Sequence, residues 1–385
     1  MSQTKVALIH YWLTGMRGGE KVLESLCRMY PNADIFTHVY VPSAVSSLIN
    51  SHKVTTTFIQ RLPFASRLYP WYLPLMPAAL ERLDLRGYRL IISSESGPAK
   101  NVIVDPEALH VCYCHTPMRY LWDLSSEYVA RHPRFSRAIM EAMFHYLRLA
   151  DVTSAARVDT FIANSRFTAQ RVRKYWRRSA RVLHPPVDIQ RFTVSNARGG
   201  YYLWLGQLVP YKRPDLAVDA FSQSGRPLVV AGTGSELRKC RRLASPNVTF
   251  VGKVSDEQAA RLLEGCRALV FTGTEDFGIV PVEAMACGKP VVAFRRGGAL
   301  DTVRDGQSGV FFCDQTAEAV NVAIRRLDGI EKYLQPQKIR TWAETFDEPR
   351  FREGIREIID DCQRKGKKTQ RAPSDEPEPD PVPAD

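Results

Sequence analysis

The strongest constraint on this chain is a repeated pattern. Short, largely apolar, β-branched runs alternate with longer stretches of helical periodicity. The first series of runs is Val6–His10, Asp34–His38, Leu90–Ser93, His110–Cys114 and Thr160–Ala163. The second is Tyr201–Leu205, Pro227–Ala231, Val248–Val251, Ala268–Phe271, Pro290–Phe294 and Val310–Phe312. A sheet with one wet face would show period-two alternation. Runs apolar on both sides predict parallel strands covered by helices on both faces. Intervening segments such as Glu20–Met29, Arg166–Trp176, Arg213–Gln223 and Glu257–Cys266 supply the helices. Pro185-Pro186 and the polar stretch to Gly199-Gly200 separate the two series. The fold class expected is α/β, with two doubly wound, Rossmann-like domains over residues 1–185 and 186–347. A helix over 348–365 carries Phe351, Ile355, Ile358, Ile359 and Cys362 on one face, suited to packing back on the first domain. Residues 366–385, basic and then rich in Pro and acids, read as a disordered tail.

Charge separates the two halves. Residues 1–185 hold 24 Lys/Arg against 13 Asp/Glu, and residues 186–385 hold 29 against 28. Nearly all of the net +12 therefore belongs to the first domain, and an anionic partner is expected there. No apolar run reaches the ~20 residues that span a bilayer. The first residues, MSQTKVALIHYWL, read as a first strand rather than a secretory leader. Eight scattered cysteines without a CxxC pair fit a reduced, cytoplasmic protein. The chain has no HExxH, GxxxxGK[ST], GxSxG or DxD.

Three segments carry chemistry. In VALIHYWLTGMRGGEKVLESL a strand runs into Gly15, Gly18 and Gly19 and then into a helix. Such glycines let backbone approach an anion at the helix N-terminus, although a plain tight turn reads equally well. In GQLVPYKRPDLAVDAF, Lys212 and Arg213 stand where a helix opens. Cations there oppose the helix dipole, so a diphosphate ligand would explain them. In TGTEDFGIVPVEAMACGKPVVAF, Glu275 lies in the turn after a strand and Phe277-Gly278 begins a helix bearing Glu283. Eight residues at ~100° each leave the two acids ~80° apart, so both can address one ligand. The N–H groups around Phe277, Gly278 and Ile279 can hold phosphate between them.

EDFGIVPVEAMACGKPVVA resembles the E-x7-E motif of retaining glycosyltransferases of family 4, which have the two-domain GT-B fold. YCHTPMRYLWD around His115, FIANSRFTAQRV, PPVD, GQLVPYKR and NVTFVGKVSD match in the same order. The resemblance runs to about Arg364. It implies a central cleft between the domains, with Lys212 on the donor diphosphate, Glu275 facing the donor sugar and Glu283 the ribose. It places His115 beside the reacting centre and Gly18 and Gly19 against the phosphates. The family usually has Arg where this chain has Gln207, so Arg213 or another cation must compensate. The implied activity is transfer of a hexose, with GDP-mannose favoured, without cofactor or metal. Lys212 and a helix N-terminus replace the ion that DxD would hold. A non-catalytic nucleotide-sugar-binding or scaffolding protein is the alternative that Gln207 raises.

For the acceptor side, FIQRLPFASRLYPWYLPL interleaves Arg61 and Arg67 with Phe64, Tyr69, Trp71 and Tyr72. Arg134, Arg137 and His145 follow on a helical segment. Aromatic and basic residues together suit an anionic membrane interface. The expected partners are a nucleotide-sugar donor, a lipid-linked or glycan acceptor and the inner membrane face. No nucleic-acid recognition motif is present. A loop packed over the core with solvated arginines remains the plain reading of these residues.

Overall fold

The computed structural model describes residues 5–130, 133–196 and 199–371. Thirteen named strands form two wholly parallel sheets among the described residues. In the first are β1 (Val6–His10), β2 (Asp34–Thr37), β3 (Val54–Thr56), β4 (Leu90–Glu95), β5 (Leu109–Cys114), β6 (Thr160–Ala163) and β7 (Ala180–Val182). Their order is β3-β2-β1-β4-β5-β6-β7. The second holds β8 (Tyr202–Leu205), β9 (Leu228–Ala231), β10 (Val248–Gly252), β11 (Ala268–Phe271), β12 (Val291–Phe294) and β13 (Gly309–Phe312), in the order β10-β9-β8-β11-β12-β13. The strand order reverses between β1 and β4, and again between β8 and β11. In sheets of this kind ligands bind beyond the carboxyl ends of the strands at that switch.

The central strands are buried along their length, as their apolar runs predict. Two strands escape the sequence pattern. β3 and β7 are edge strands of three residues, VTT and ARV, half-buried or exposed, with no apolar run to betray them. Two expected helix starts also shift. Gly278 is not helical but caps helix Ile279–Ala286 at φ +84°. Lys212 closes a 3-10 turn, Pro210–Lys212, and Arg213 sits in the left-handed region (φ +52°) before helix Pro214–Ser224. Arg213 is thus the N-cap of that helix and Lys212 precedes it, so both cations stand just ahead of the helix rather than within its first turn.

The chain crosses between domains twice. At the crossings Val187 pairs with Asp347, and the Val187 N–H donates to Phe346 O at 2.9 Å. Helix Glu348–Arg371 then returns to the first domain. Its Phe351, Ile355, Ile358 and Ile359 join a core with Leu8, Val22, Leu26 and Ile92. Residues 366–371, assigned above to the tail, continue this helix. Residues 372–385 lie outside the described residues.

Candidate functional site

The two switch points face each other across a cleft of about 560 Å3. Gly18, Gly19, Glu20, Ser96 and His115 line one side; Lys212, Glu275, Asp276, Gly278 and Ile279 line the other. Two helices, Gly18–Met29 and Ile279–Ala286, begin here from opposite domains. A Cβ on Gly18 would come within 2.8 Å of Ile279 Cδ1, which measures how closely the two starts approach. Free N–H groups at helix N-termini attract anions, and here two sets converge.

Lys212 adds a fixed charge. Its ammonium pairs with Glu275 at 3.0 Å. Burial alone would depress its pKa, but the Glu275 carboxylate more than offsets this and raises it, so Lys212 is cationic. The approach depends on Gly273, where a Cβ would meet the Lys212 Cα at 2.6 Å. His115 is pushed by burial, and secondarily by His10, down to about 3. It is a neutral imidazole at physiological pH. Glu283 lies deeper, where Arg191 donates to it at 3.5 Å. Burial pushes its carboxyl up to about 7, with Asp256 and Asp188 adding to the rise and Arg191 opposing it.

Several expected residues sit elsewhere. Gln207 is exposed and does not line the cleft. Arg213 does not line the cleft either, and its guanidinium donates to Asp215 at 3.1 Å and Gln315 at 3.3 Å. Arg17 does line the cleft, beside the glycines. The Phe277 ring belongs to the core and stacks on His184, leaving its backbone for a ligand. Glu283 does not line the same cavity as Glu275.

An interdomain latch escaped the sequence reading. Arg171, 6% exposed, donates to Asp276 at 2.6 Å and to Asp123 at 2.5 Å. Thr116 donates to the same Asp276 oxygen at 3.1 Å, and Arg119 donates to Thr274 O at 3.1 Å. Nearby, Arg166 bridges to Asp301 of the second domain. These contacts hold the turn bearing Glu275 against the first domain. Those that cross between the domains join residues 105 or more positions apart, which no local spacing announces.

The aromatic and basic segment divides: Tyr69 and Tyr72 pack against the core of the first domain, while other apolar residues of the segment are exposed. Phe64 and Trp71 are 74% and 76% exposed, with Leu68 and Leu75 beside them. Helix Arg134–Ala156 adds Ile139, Tyr146, Leu149 and Val152 on its exposed face. Among the described residues no helix is long and apolar enough to cross a membrane, and no group of His, Cys, Asp and Glu could hold a metal ion.

Comparison with known proteins agrees with this geometry. Residues 188–335 match the model of Glycosyl transferases group 1, and residues 16–191 that of Glycosyltransferase Family 4. D-inositol 3-phosphate glycosyltransferase of Mycobacterium marinum is 32% identical over 192 residues, 43% of this chain and 41% of that protein. Alpha-1,3/1,6-mannosyltransferase ALG2 of Dictyostelium discoideum is 43% identical over 72 residues, 18% of this chain and 17% of its own. These matches span well under two thirds of the relatives' length. Among solved structures, Anabaena HepE in complex with UDP superposes with a TM-score of 0.67 at 19% identity, covering 93% of this chain and all of that one. WaaG, a glycosyltransferase involved in lipopolysaccharide biosynthesis, superposes at 0.63 and 16% identity, covering 92% and 99%. At such identities the likeness establishes a shared fold.

Proposed function

This chain belongs to the group 1, family 4 glycosyltransferases, and from that premise we propose that it moves a hexose from a nucleoside diphosphate sugar to a lipid-linked or glycan acceptor, with retention at the anomeric carbon. The convergence of two helix N-termini and Lys212 on one cleft carries the proposal. Breaking the bond between the anomeric carbon and phosphate leaves negative charge on the diphosphate. Fixed N–H dipoles and an ammonium already in place stabilise that charge without reorganising. The acceptor oxygen bonds the anomeric carbon on the face the phosphate leaves, and its proton passes to a leaving phosphate oxygen. No protein carboxylate is needed as nucleophile, and no metal site is invoked. Glu275 is the residue for sugar hydroxyls, His115 for one beside the reacting centre, and Glu283 for the ribose.

Mannose, supplied as GDP-mannose, is the favoured hexose; the partial likeness to the mannosyltransferase supports it. Turnover of a panel of nucleotide sugars with extracted membrane lipids, read by mass shift, tests the proposal. Transfer should persist in chelator. Tight binding of every donor without transfer by a folded sample would sink it in favour of a non-catalytic sugar-nucleotide binder. That second reading draws on the absence of Gln207 and Arg213 from the cleft.

Glu283 gives the site a pH signature. Its folded pKa lies above the unfolded carboxylate value, so its contribution favours folding at low pH and is lost as pH rises through about 7. Ribose hydroxyls favour the ionised form, so donor binding should release a proton. Affinity for the intact nucleotide sugar is expected to fall, by up to about tenfold per pH unit, as pH drops below about 7. Titration calorimetry from pH 8 to 5.5 reads this, and Glu283→Gln should flatten the profile.

The exposed Phe64, Trp71 and Arg67 fit a peripheral seat on anionic lipid at the inner membrane face, which would bring a lipid-linked acceptor to the cleft. Burying one such aromatic contributes roughly 1.5–3 kcal/mol. Trp71→Ser should therefore weaken partition onto phosphatidylglycerol vesicles about tenfold or more. Unchanged sedimentation with the vesicles would remove this surface from the proposal.

A further inference from the structure

A buried hydrogen-bonded line runs from Glu20 to His115. Ser94 Oγ lies 2.8 Å from His115 Nε2 and 3.1 Å from His10 Nδ1. The other nitrogen of His10, Nε2, is 3.8 Å from Glu20 Oε1 and has no hydrogen-bond partner among the described residues. His10, Ser94 and Glu20 are at most 2% exposed. A serine hydroxyl carries one proton, so it can donate to only one of its two imidazole neighbours and must accept from the other. The line therefore has two settings. In one, Ser94 donates to His10 Nδ1 and accepts from His115 Nε2–H. In the other, every proton is reversed.

Glu20 decides between them. Its carboxylate is held ionised: burial works against this, but His10 and the backbone N–H groups of Glu20 and Arg17 outweigh it and lower its pKa. On a neutral His10 ring, which its complete burial favours, an anion facing Nε2 draws the single ring proton to that nitrogen and leaves Nδ1 bare to accept from Ser94. Ser94 then accepts from His115 Nε2–H. The remaining nitrogen of His115, Nδ1, is left as a lone-pair acceptor on a ring that lines the cleft. The flanking rings, Tyr113 and Tyr11, meet His115 edge-on at 5.1 Å and 6.5 Å between centroids and supply no competing hydrogen bond to it.

The geometry points to Glu20, His10 and Ser94 as positioning residues that set the tautomer of His115, so that it accepts a hydrogen bond from a donor-sugar hydroxyl and offers none to a phosphate oxygen. This rests on the transferase reading only for the identity of the ligand. It gives His115 a specificity role, since a deoxy sugar lacking that hydroxyl leaves the lone pair unmet.

The test uses the full chain with 15N-labelled histidine, its His115 signals assigned through His115→Gln. The free protein should show His115 protonated on Nε2 and bare on Nδ1. Glu20→Gln, whose amide can face His10 with either end, should bring up a second population protonated on Nδ1. Ser94→Ala should release the His115 tautomer. It should also lower kcat/KM for the nucleotide sugar about tenfold, with affinity for the free nucleoside diphosphate unchanged, and Ser94→Thr should restore it. A wild-type His115 protonated on Nδ1, or signals unmoved in both Glu20→Gln and Ser94→Ala, would overturn the inference. The spectra need no substrate, so a protein that transfers no sugar would fail the transferase reading while leaving the tautomer decided.

Discussion

Replacing Lys212 by alanine is expected to slow sugar transfer about 10²–10³-fold, the loss seen when one preorganised oxyanion donor is removed. Lys212 is mostly buried, cationic and 3.0 Å from Glu275 in the cleft. In the proposed reaction its charge is in place before the bond to phosphate breaks and would act chiefly on the transition state, where the leaving group gains charge. The loss should fall mainly on kcat, and Lys212→Arg should recover part of it. The partner left behind, Glu275, is about one-fifth exposed and can be hydrated. Thermal stability should therefore change little, which separates a catalytic defect from a folding one. Steady-state kinetics beside a melting curve reads both. A loss below threefold would remove Lys212 from the leaving-group role.

The largest stability effect is expected at Lys100, a residue outside the cleft. Its ammonium is fully buried, donates to Glu95 at 3.0 Å and also pairs with Asp151. Glu95 accepts further from the Ala99 and Lys100 N–H groups, at 2.9 and 2.8 Å. Asp151 accepts from Trp122 and Trp176, at 2.9 and 2.7 Å. One cation thus joins the end of β4, the loop after it and two helices. Lys100→Met would leave two buried carboxylates facing each other, at a cost of about 3–5 kcal/mol. Burial already raises Glu95, and Lys100 opposes that rise. Without Lys100 the carboxyl should protonate more readily, so the deficit should shrink on acidification. Urea unfolding at pH 7 and pH 5 measures this; an equal deficit at both would contradict it.

How much of this was legible in the sequence depended on range. The runs at Val6–His10, Thr160–Ala163 and Ala268–Phe271 stand as strands with the bounds their composition marks. A strand buried on both faces is built mainly from apolar residues, and that is visible locally. Edge strands β3 and β7 carry no such demand and were not visible. Lys212, Glu275, Gly18 and His115 came from motifs, and all four line one cleft. Arg213 stood beside Lys212 in the motif, yet its left-handed backbone turns it to Asp215. Glu95 and Lys100 stand five residues apart in sequence, but Asp151, which makes the pair a network, is 51 residues from Lys100.

The sequence by itself determined the class of fold and the family, because apolar periodicity and short motifs are local properties that survive without coordinates. The tertiary structure decided which charged groups are paired and which remain free for a ligand. Arg171 meets Asp276 across 105 residues, and Ser94 meets His10 across 84. Coulomb and hydrogen-bond energies depend on distances in space and on exclusion of water. The uneven charge of the first domain shows the same division: its sign and size belong to the sequence, and which of its aromatic residues stay exposed, Phe64 and Trp71 but not Tyr69, is settled only when the chain has folded.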